Sequence, residues 1–267
     1  MLHHGDCLQV LPALPEGSVD LVVTSPPYNL GINYRSFDDT AGRTEFLAWC
    51  LAWAAEVKRV LSDDGSFFLN VGAAPANPLM PHQIVLAFTE GPEPLFVLQN
   101  TFHWIKSVTV ETRAGDQISA GHFKPINSKR FVNDCHEYIF HFSPAGRTRL
   151  DRRAVGVPYQ DPSNIKRWAQ AGSGLRCRGN TWFIPYETIQ SRDRDRPHPA
   201  SFPPKVPEQC VRLHGLERAG LMMDPFLGLG SSAIAAVRLG VDFIGVEMDE
   251  HYLREAVARV KAAAATA

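Results

Sequence analysis

The stretch LMMDPFLGLGSSAIAAVRLGVDFIGVE, residues 221–247, decides the fold class of this chain. It opens with a short apolar run at 221–223, passes through a glycine turn into helical spacing at 231–239, and ends in a second apolar run at 241–246. These periods predict a strand, a helix and a second strand. Because strands that alternate with helices build layered α/β domains, the stretch predicts an α/β sheet.

The turn inside this stretch, Asp224-Pro225-Phe226-Leu227-Gly228-Leu229-Gly230, joins the first predicted strand to the helix. Glycines there allow positive φ angles and bring the backbone close to a ligand at a helix N-terminus. A Gly-x-Gly turn alone fits a tight connection equally well. However, Glu247 ends the next predicted strand, where a carboxylate can accept hydrogen bonds from two ribose hydroxyls. The pair therefore favours a nucleotide-type ligand.

Neighbouring residues narrow that ligand. No Gly-Lys-Ser/Thr follows the turn, so it is not a Walker loop, and Ala233 replaces the third glycine of a dinucleotide fingerprint. The pattern favours adenosine without a pyrophosphate.

The N-terminal part shows a similar alternation. An apolar run at 19–23 predicts a strand that ends at Pro26-Pro27, because proline lacks the amide hydrogen that a sheet ladder needs. Residues 44–61 have helical apolar spacing, and Asp64-Gly65 is typical of a turn. Further strand-like runs are 66–71, 95–98 and 138–142.

The middle of the chain differs from both ends, because 143–196 is rich in turn residues and poor in long apolar runs. We predict two parts of one domain, 1–142 and 197–267, separated by an insertion at 143–196. Between 147 and 178 the insertion carries two acidic residues and eight basic ones: Arg147, Arg149, Arg152, Arg153, Lys166, Arg167, Arg176 and Arg178. Charged loops are often only solvated surface, but arginines interleaved with Trp168 and Trp182 favour contacts to nucleic-acid phosphates and bases.

Composition limits the class of protein. The chain has 267 residues, of which 45% are hydrophobic and 21% charged, and a formal net charge of −1. This composition predicts one large globular domain with a smaller insertion and does not by itself indicate a polyanion partner. Five scattered cysteines without a C-x-x-C pair argue against a disulfide framework or a structural zinc site, so we predict no metal. With no signal peptide or apolar span, the chain is predicted to be soluble and cytoplasmic.

A second motif identifies a family. Taken alone, Thr24-Ser25-Pro26-Pro27-Tyr28-Asn29 fits a proline turn, but it resembles the (Asp/Asn/Ser)-Pro-Pro-Tyr motif of amino-methyltransferases. The turn at 224–230 resembles their cofactor motif. The similarity covers most of the chain outside the insertion and continues at Gly5-Asp6, 65–72, 136–140, 198–203 and 243–247. With the catalytic motif first and the cofactor motif last, the order is similar to that of the permuted β class of DNA amino-methyltransferases.

The resemblance implies a fold and a cofactor. It implies the Rossmann-like fold of S-adenosylmethionine-dependent methyltransferases, with a mostly parallel seven-stranded sheet in circularly permuted motif order. Residues 1–142 would be the catalytic part, 143–196 the target-recognition insertion and 197–267 the cofactor-binding part. The implied cofactor-binding residues are Asp6, Cys7, His198, Ser201, Phe202, Pro203, Asp224, Pro225, Phe226, Gly228, Gly230, Ser231, Ser232, Glu247 and Met248.

The implied partner is double-stranded DNA, in a prokaryotic cytoplasm where the protein would associate with the nucleoid. A homodimer and a cognate restriction endonuclease are also left open. Two of the implied binding sites also have a purely structural interpretation. Asp6 either contacts the adenosine or only caps a turn. The segment from His198 to Pro203 contacts the methionine end of the cofactor, acts as a rigid linker, or does both.

The chemistry of the loop explains why these residue types suit the reaction. An exocyclic base amine is a poor nucleophile, because its lone pair is delocalised into the ring. The Ser25 hydroxyl and the Pro26 carbonyl, beside the missing amide hydrogen of Pro27, can accept its hydrogens and localise that pair. Tyr28 offers a ring on which a flipped-out base can stack. Transfer is then direct, without a covalent enzyme intermediate.

Several alternatives remain. Methylation at cytosine carbon 5 is disfavoured, since no cysteine follows a proline. Ser-Pro-Pro-Tyr is associated in the family mainly with cytosine N4, which is the prediction, and adenine N6 is the alternative. A DNA-binding protein without catalysis and a methyltransferase acting on RNA or protein are the alternatives outside this class. The insertion's role predicts that reversing Arg152 and Arg153 to Glu weakens DNA binding in a salt-dependent way.

Overall fold

A computed structural model describes residues 1–29, 31–32, 34, 36–75, 77–121, 127–161, 163, 165, 174–185 and 201–266. The strands are β1 (Leu2–His4), β2 (Val19–Thr24), β3 (Leu61–Val71), β4 (Val97–Ile105), β5 (Ser107–Glu111), β6 (Gln117–Gly121), β7 (His136–Ser143), β8 (Val157–Pro158), β9 (Leu175–Arg176), β10 (Thr181–Phe183), β11 (Leu221–Asp224) and β12 (Asp242–Glu247). The helices are α1 (Cys7–Val10), α2 (Arg43–Val60), α3 (Met80–Thr89), α4 (Lys205–His214), α5 (Ser231–Leu239) and α6 (Glu250–Ala264). None of the helices described is both long and apolar enough to cross a lipid bilayer.

The central sheet has eight strands in the order β1-β12-β11-β2-β3-β7-β4-β10. All strand pairings in this sheet are parallel except the two made by β7, which is antiparallel to both β3 and β4. The predicted mostly parallel α/β sheet is therefore confirmed. It has one strand more than the seven implied by the resemblance. The edge strand β10 comes from 143–196, so the sheet extends into the range predicted as an insertion.

The predicted strand at 19–23 is confirmed as β2, which is apolar on both faces because helices cover both sides of the sheet. The predicted helix at 44–61 is confirmed as α2, within one residue at each end. The predicted turn at Asp64-Gly65 is wrong, since both residues lie inside β3. The β2–β3 register shifts beside them, between Val19 and Leu21, so β3 carries an irregularity there rather than ending.

Two hydrophobic clusters pack against the two faces of the sheet. Consecutive residues of β3 divide between them, with Phe67 in the cluster that includes α2 and α3 and Phe68 in the cluster that includes α4. Trp182 of β10 belongs to the second cluster, is fully buried, and lies 4.5 Å from Phe102, ring centroid to centroid. The expectation that Trp182 helps to read bases is therefore wrong, because its ring packs the core. Trp168 lies outside the described residues.

Candidate active site

The two motifs meet at one edge of the sheet. Strands β2 and β11 pair in parallel, with Val22 opposite Met223, so the residues that end them are neighbours. The Thr24 hydroxyl donates to Oδ1 of Asp224 at 2.5 Å, joining residues that are 200 positions apart in sequence. We call this edge, where β2, β3, β11 and β12 end, the catalytic edge. A pocket of about 990 Å³, including its open mouth, lies there and is lined by both motifs.

Asp224 anchors the junction. Besides Thr24, it accepts hydrogen bonds from the Ser232 hydroxyl at 2.6 Å and from the Phe226 amide at 3.0 Å. Burial raises the pKa of its carboxyl to about 6, although these three hydrogen bonds favour the charged form. Asp224 thus stabilises the junction in addition to lining the pocket, and Ser232 supports this structural role through its hydrogen bond to Asp224.

The glycine turn has the backbone that its residues predicted. Gly228 has a φ of +52° and Gly230 a φ of +79°, and a Cβ on Gly230 would lie 3.1 Å from Ala256. The turn delivers the chain to α5, whose first residue, Ser231, lines the pocket. The N-terminus of a helix therefore faces the pocket.

Glu247 ends β12 beside this turn. Its Oε2 accepts from the Gly228 amide and its Oε1 from the Asp249 amide, both at 2.8 Å. Burial raises the pKa of Glu247, and these two amides oppose that rise. The carboxylate is held in one orientation at the pocket wall, and each oxygen keeps a second lone pair for a ligand hydroxyl.

Most predicted cofactor-binding residues line the pocket: Asp6, Cys7, Ser201, Phe202, Asp224, Pro225, Phe226, Gly228, Ser231, Glu247 and Met248. Gly230, Ser232 and Pro203 are buried beside it and do not line it. His198 lies outside the described residues. Asp6 both lines the pocket and caps α1, accepting from the Leu8 amide at 2.9 Å, so the two alternatives for this residue are compatible. Burial, followed by the charge of Asp6, raises the pKa of the Cys7 thiol to about 12.

Sequence reasoning missed part of the pocket wall. The additional lining residues are Gly5, Tyr34, Ser36, Phe37, Trp49, Leu227, Leu229, Val246, Asp249 and Tyr252. The Trp49 ring lies 5.0 Å from Phe37 and 5.5 Å from Phe226, centroid to centroid. The wall therefore combines aromatic rings with acidic side chains.

The charge of the pocket is one-sided. Asp6, Asp224, Glu247 and Asp249 line it, whereas no lysine or arginine does among the residues that the structure describes. A diphosphate would be repelled by these carboxylates, and a ligand with cationic groups would be attracted. This agrees with the expected adenosine-type ligand without pyrophosphate.

Contacts of the residues that follow it fix the shape of the loop at 25–28. Ser25, Pro26, Pro27 and Tyr28 all line the pocket. Asn29 follows with a φ of +56°, and its amide donates to Oδ1 of the buried Asp39 at 2.7 Å. The loop therefore holds the Ser25 hydroxyl at the pocket wall.

Behind Ser25 lies a hydrogen-bonded network that the sequence did not reveal. The Ser25 and Tyr28 hydroxyl oxygens are 2.6 Å apart, and the Tyr28 hydroxyl lies 3.2 Å from Oε2 of Glu137. The Asn70 amide nitrogen donates to Tyr28 at 2.7 Å and to Glu137 at 2.6 Å. Lys106 binds the other Glu137 oxygen at 2.7 Å. Burial, then the charge of Glu137, raises the pKa of Tyr28 well above its usual value, so its hydroxyl stays protonated.

The predicted DNA-binding arginines lie elsewhere. Arg147, Arg149, Arg152, Arg153 and Arg176 are exposed, and Arg178 is half-buried, donating to the Val155 carbonyl. Lys166 and Arg167 lie outside the described residues.

The segment 147–153 can be placed by its neighbours. The Thr148 hydroxyl donates to the Gly65 carbonyl, in the first half of β3, and the Asp151 amide donates to the Leu213 carbonyl, which precedes β11. Strand beginnings lie at the edge away from the pocket, which we call the opposite edge. The four predicted arginines of this segment therefore lie toward the opposite edge, and their contact to DNA stays a prediction.

A family model described as DNA methylase matches residues 19–258 of the chain. The match covers most of the chain, including both motifs and the segment between them.

Relatives agree with that match. The Type II methyltransferase M.ScaI of Streptomyces caespitosus is 32% identical over 276 aligned positions, which cover 99% of this chain and 82% of that protein. The Type II methyltransferase M.XycI of Xanthomonas campestris pv. cyanopsidis is 27% identical, covering 97% of this chain and 87% of that protein.

Solved structures share the fold. The PvuII DNA methyltransferase, named as cytosine-N4-specific, superposes with a TM-score of 0.70 at 23% identity, covering 97% of this chain and 85% of that one. A DNA modification methylase of Thermus thermophilus, solved in complex with S-adenosyl-L-methionine, gives a TM-score of 0.61 at 25% identity, covering 98% of this chain and 95% of that one.

Proposed function

The chain belongs to the DNA methylase family, and on that premise we propose that it transfers a methyl group from S-adenosylmethionine to the exocyclic N4 amine of cytosine in double-stranded DNA. The observation that carries the proposal is the junction of the two motifs. Through the Thr24–Asp224 hydrogen bond, the Ser25 loop and the glycine turn form adjoining walls of one pocket. A base amine and a methyl donor in that pocket would be held side by side.

The pocket suits S-adenosylmethionine, which supplies an electrophilic methyl group on a positively charged sulfur. Its acidic lining attracts the sulfonium and ammonium groups of this molecule. Glu247, oriented by two backbone amides, would accept hydrogen bonds from the ribose hydroxyls. Asp6 lines the same pocket, and the rings of Trp49 and Phe226 supply apolar surface for the adenine.

The residues of the loop would activate the amine. The Ser25 hydroxyl and the Pro26 carbonyl accept hydrogens of the amine and localise its lone pair for attack on the methyl carbon. The Tyr28 ring is only 7% exposed, but it lines the pocket and offers a face to a base that has left the duplex.

Ser25 also supports the choice of base. Its Ser-Pro-Pro-Tyr motif resembles the form that the family associates mainly with cytosine N4, and N6 of adenine is the alternative. A cognate restriction endonuclease and a homodimer stay predictions.

Nucleoside analysis tests the proposal directly. The pure protein is incubated with isotope-labelled S-adenosylmethionine and with DNA that lacks modified bases, and the digested nucleosides are separated by mass. We expect labelled N4-methylcytosine and no label without the protein. Labelled N6-methyladenine alone would overturn the choice of base, and label that enters RNA or protein in preference to DNA would overturn the substrate class.

Cofactor binding has a separate test. We expect Glu247→Gln to weaken S-adenosylmethionine binding in calorimetry by roughly tenfold or more, as is typical when a charged hydrogen-bond partner is lost. Glu255→Gln, at an exposed position on α6, is the matched control and should bind as the wild type does. Equal affinities in the two variants would remove Glu247 from the ribose site.

A further inference from the structure

The Ser25 hydroxyl is the first member of a series of hydrogen-bonded side chains that leads away from the pocket. Ser25 and Tyr28 line the pocket, whereas Asn70, Glu137 and Lys106 do not. Asn70 is 1% exposed and is the second-to-last residue of β3, at the same edge of the sheet as the start of β7, which carries Glu137. The activation of the amine as derived above uses none of these three residues.

The direction of each hydrogen bond follows from what each group can donate. The Asn70 nitrogen can only donate, so the Tyr28 oxygen accepts from it. The Glu137 carboxylate can only accept, so the Tyr28 hydroxyl donates its single hydrogen to Glu137. The Ser25 hydroxyl must then donate to Tyr28 across their 2.6 Å contact. The Asn70 nitrogen also donates to the Ser25 oxygen, at 3.4 Å, so Ser25, with its proton turned away, has one lone pair left for the pocket.

The last members of this hydrogen-bonded series, Glu137 and Lys106, are charged and closely packed. One Glu137 oxygen binds Lys106 at 2.7 Å, which leaves the other for Tyr28 and Asn70. The Glu137 side chain is 15% exposed and that of Lys106 is 23% exposed. A Cβ on Gly72 would lie 3.1 Å from the Tyr28 ring and 3.3 Å from Glu137, so the glycine leaves room for both side chains.

We propose that Glu137 is a positioning residue for methyl transfer, which orients the Ser25 hydroxyl through Tyr28 and takes up the proton that the base releases. This inference rests on the proposed function. The base nitrogen bonds to the methyl carbon while the carbon–sulfur bond breaks and its electron pair stays on sulfur. The methylated nitrogen then carries a positive charge. It gives a proton to Ser25 as Ser25 passes its own to Tyr28 and Tyr28 passes its own to Glu137, which ends as a neutral acid.

A double-mutant cycle with Ser25 tests this role. We expect Glu137→Gln to lower the single-turnover rate on DNA by about 10²-fold, in the range of general acid–base groups, because the glutamine amide can donate to Tyr28 and reverse the chain. The KM for S-adenosylmethionine should stay within about twofold, since Glu137 does not line the pocket. In a Ser25→Ala background the same substitution should change the rate by less than about twofold, because the hydroxyl that it orients is gone.

A purely structural role of Glu137 predicts a different outcome of the double-mutant cycle. If Glu137 only supports the fold, Glu137→Gln lowers the rate by the same factor with and without Ser25, and that result overturns the proposal. Should Glu137→Gln not fold, Tyr28→Phe replaces it in the cycle, because it removes the middle hydroxyl and keeps the ring. Glu255→Gln is the control for removing an exposed carboxylate. Wild-type protein that methylates no DNA would overturn the proposed function, whereas active wild type with additive effects would overturn only the role of Glu137.

Discussion

Strands β3 and β7 carry a polar network at each end, and the two networks differ in kind. At the catalytic edge, Asn70 of β3 donates a hydrogen bond to Glu137 of β7, and both connect to the pocket through Tyr28. At the opposite edge, Ser66 of β3 binds Nε2 of His141 on β7 at 3.1 Å and Nδ1 of His214 at 2.9 Å. All three members of the second network are fully buried.

The difference lies in charge. The first network ends in the Glu137–Lys106 ion pair and opens to a ligand through Ser25. The second is neutral at pH 7, because burial lowers the pKa of His141 to about 3 and that of His214 to about 4. On the proposed function, the same pair of strands would serve catalysis at one end and stability at the other. Substitutions at the two ends should act on different measurements.

The largest effect is expected for Ser25→Ala, which removes the acceptor at the open end. We expect turnover to fall by about 10²-fold or more, as when one aligned hydrogen-bonding group is lost from an active site. Cofactor affinity and melting temperature should stay close to the wild type. Ser18→Ala, on the loop before β2, is the control. Turnover of Ser25→Ala at the wild-type rate would contradict the role of the hydroxyl.

Acidification should break the neutral network. Unfolded histidine binds a proton near pH 6.5, whereas folded His214 resists protonation down to about pH 4. The unfolded state therefore takes up more protons between these values, and stability falls as the pH falls through this window. For His214 alone the loss is at most about 3 kcal/mol, measured by denaturant unfolding at pH 7 and pH 4.5.

The buried carboxyl of Asp224 acts in the opposite sense. Its pKa is raised to about 6, so its contribution to stability is present at low pH and is lost as the pH rises through that value. The variant His214→Asn isolates the histidine from this effect. We expect the variant to lose less stability than the wild type between pH 7 and pH 4.5. Equal losses in both proteins would place the pH dependence elsewhere.

Ser66→Ala should weaken the neutral network without acidification. It leaves His141 Nε2 and His214 Nδ1 without the hydroxyl they share, at a cost of about 2 kcal/mol. Urea unfolding measures this loss. Turnover measured well below the melting temperature should match the wild type. A fall in turnover as large as that of Ser25→Ala would show that the two ends are not separable.

The smallest effect is expected for the pair Arg152→Glu and Arg153→Glu. Both arginines are exposed toward the opposite edge, so on the proposed function, with the duplex at the catalytic edge, they would act mainly through long-range charge. We expect DNA binding at low salt to weaken by a few-fold and the difference to shrink as salt rises. Unchanged binding at low salt would refute any role of these arginines in DNA contact.

Sequence reasoning predicted that the proline loop at 25–28 and the glycine turn form part of a site, because each is a short, local pattern with a chemical reason, and both line the pocket. It also found β2 and α2, whose apolar periods are regular. It did not find the Glu137 network, because its members come from separate parts of the sequence and meet only in the folded protein. A signal was present: Asn70 is a polar residue in the otherwise apolar run 67–71 of β3, and Glu137 directly precedes the largely aromatic run 138–142 of β7. Such residues are expected to have buried partners.

The predictions made for Trp182 and for Asp64-Gly65 were wrong for a different reason. Trp182 lies in a strand of three residues, and a strand that short leaves no periodicity to detect. It joins the core because β4 pairs with it, which is information from a distant part of the chain. At Asp64-Gly65 the local turn preference is overridden, since β3 continues through an irregularity opposite β2.

The hydrogen bond between Thr24 and Asp224 has a consequence for synthesis on the ribosome. At translation rates of about 5–20 residues per second, the 200 residues that separate this pair take roughly 10–40 s to make. Throughout that interval one side of β2 has no strand beside it, because its neighbour β11 does not yet exist. An apolar strand with a free edge invites pairing with other chains. The permuted order of motifs thus exposes the nascent chain to aggregation, and the two halves of the pocket meet only when β11 closes that edge.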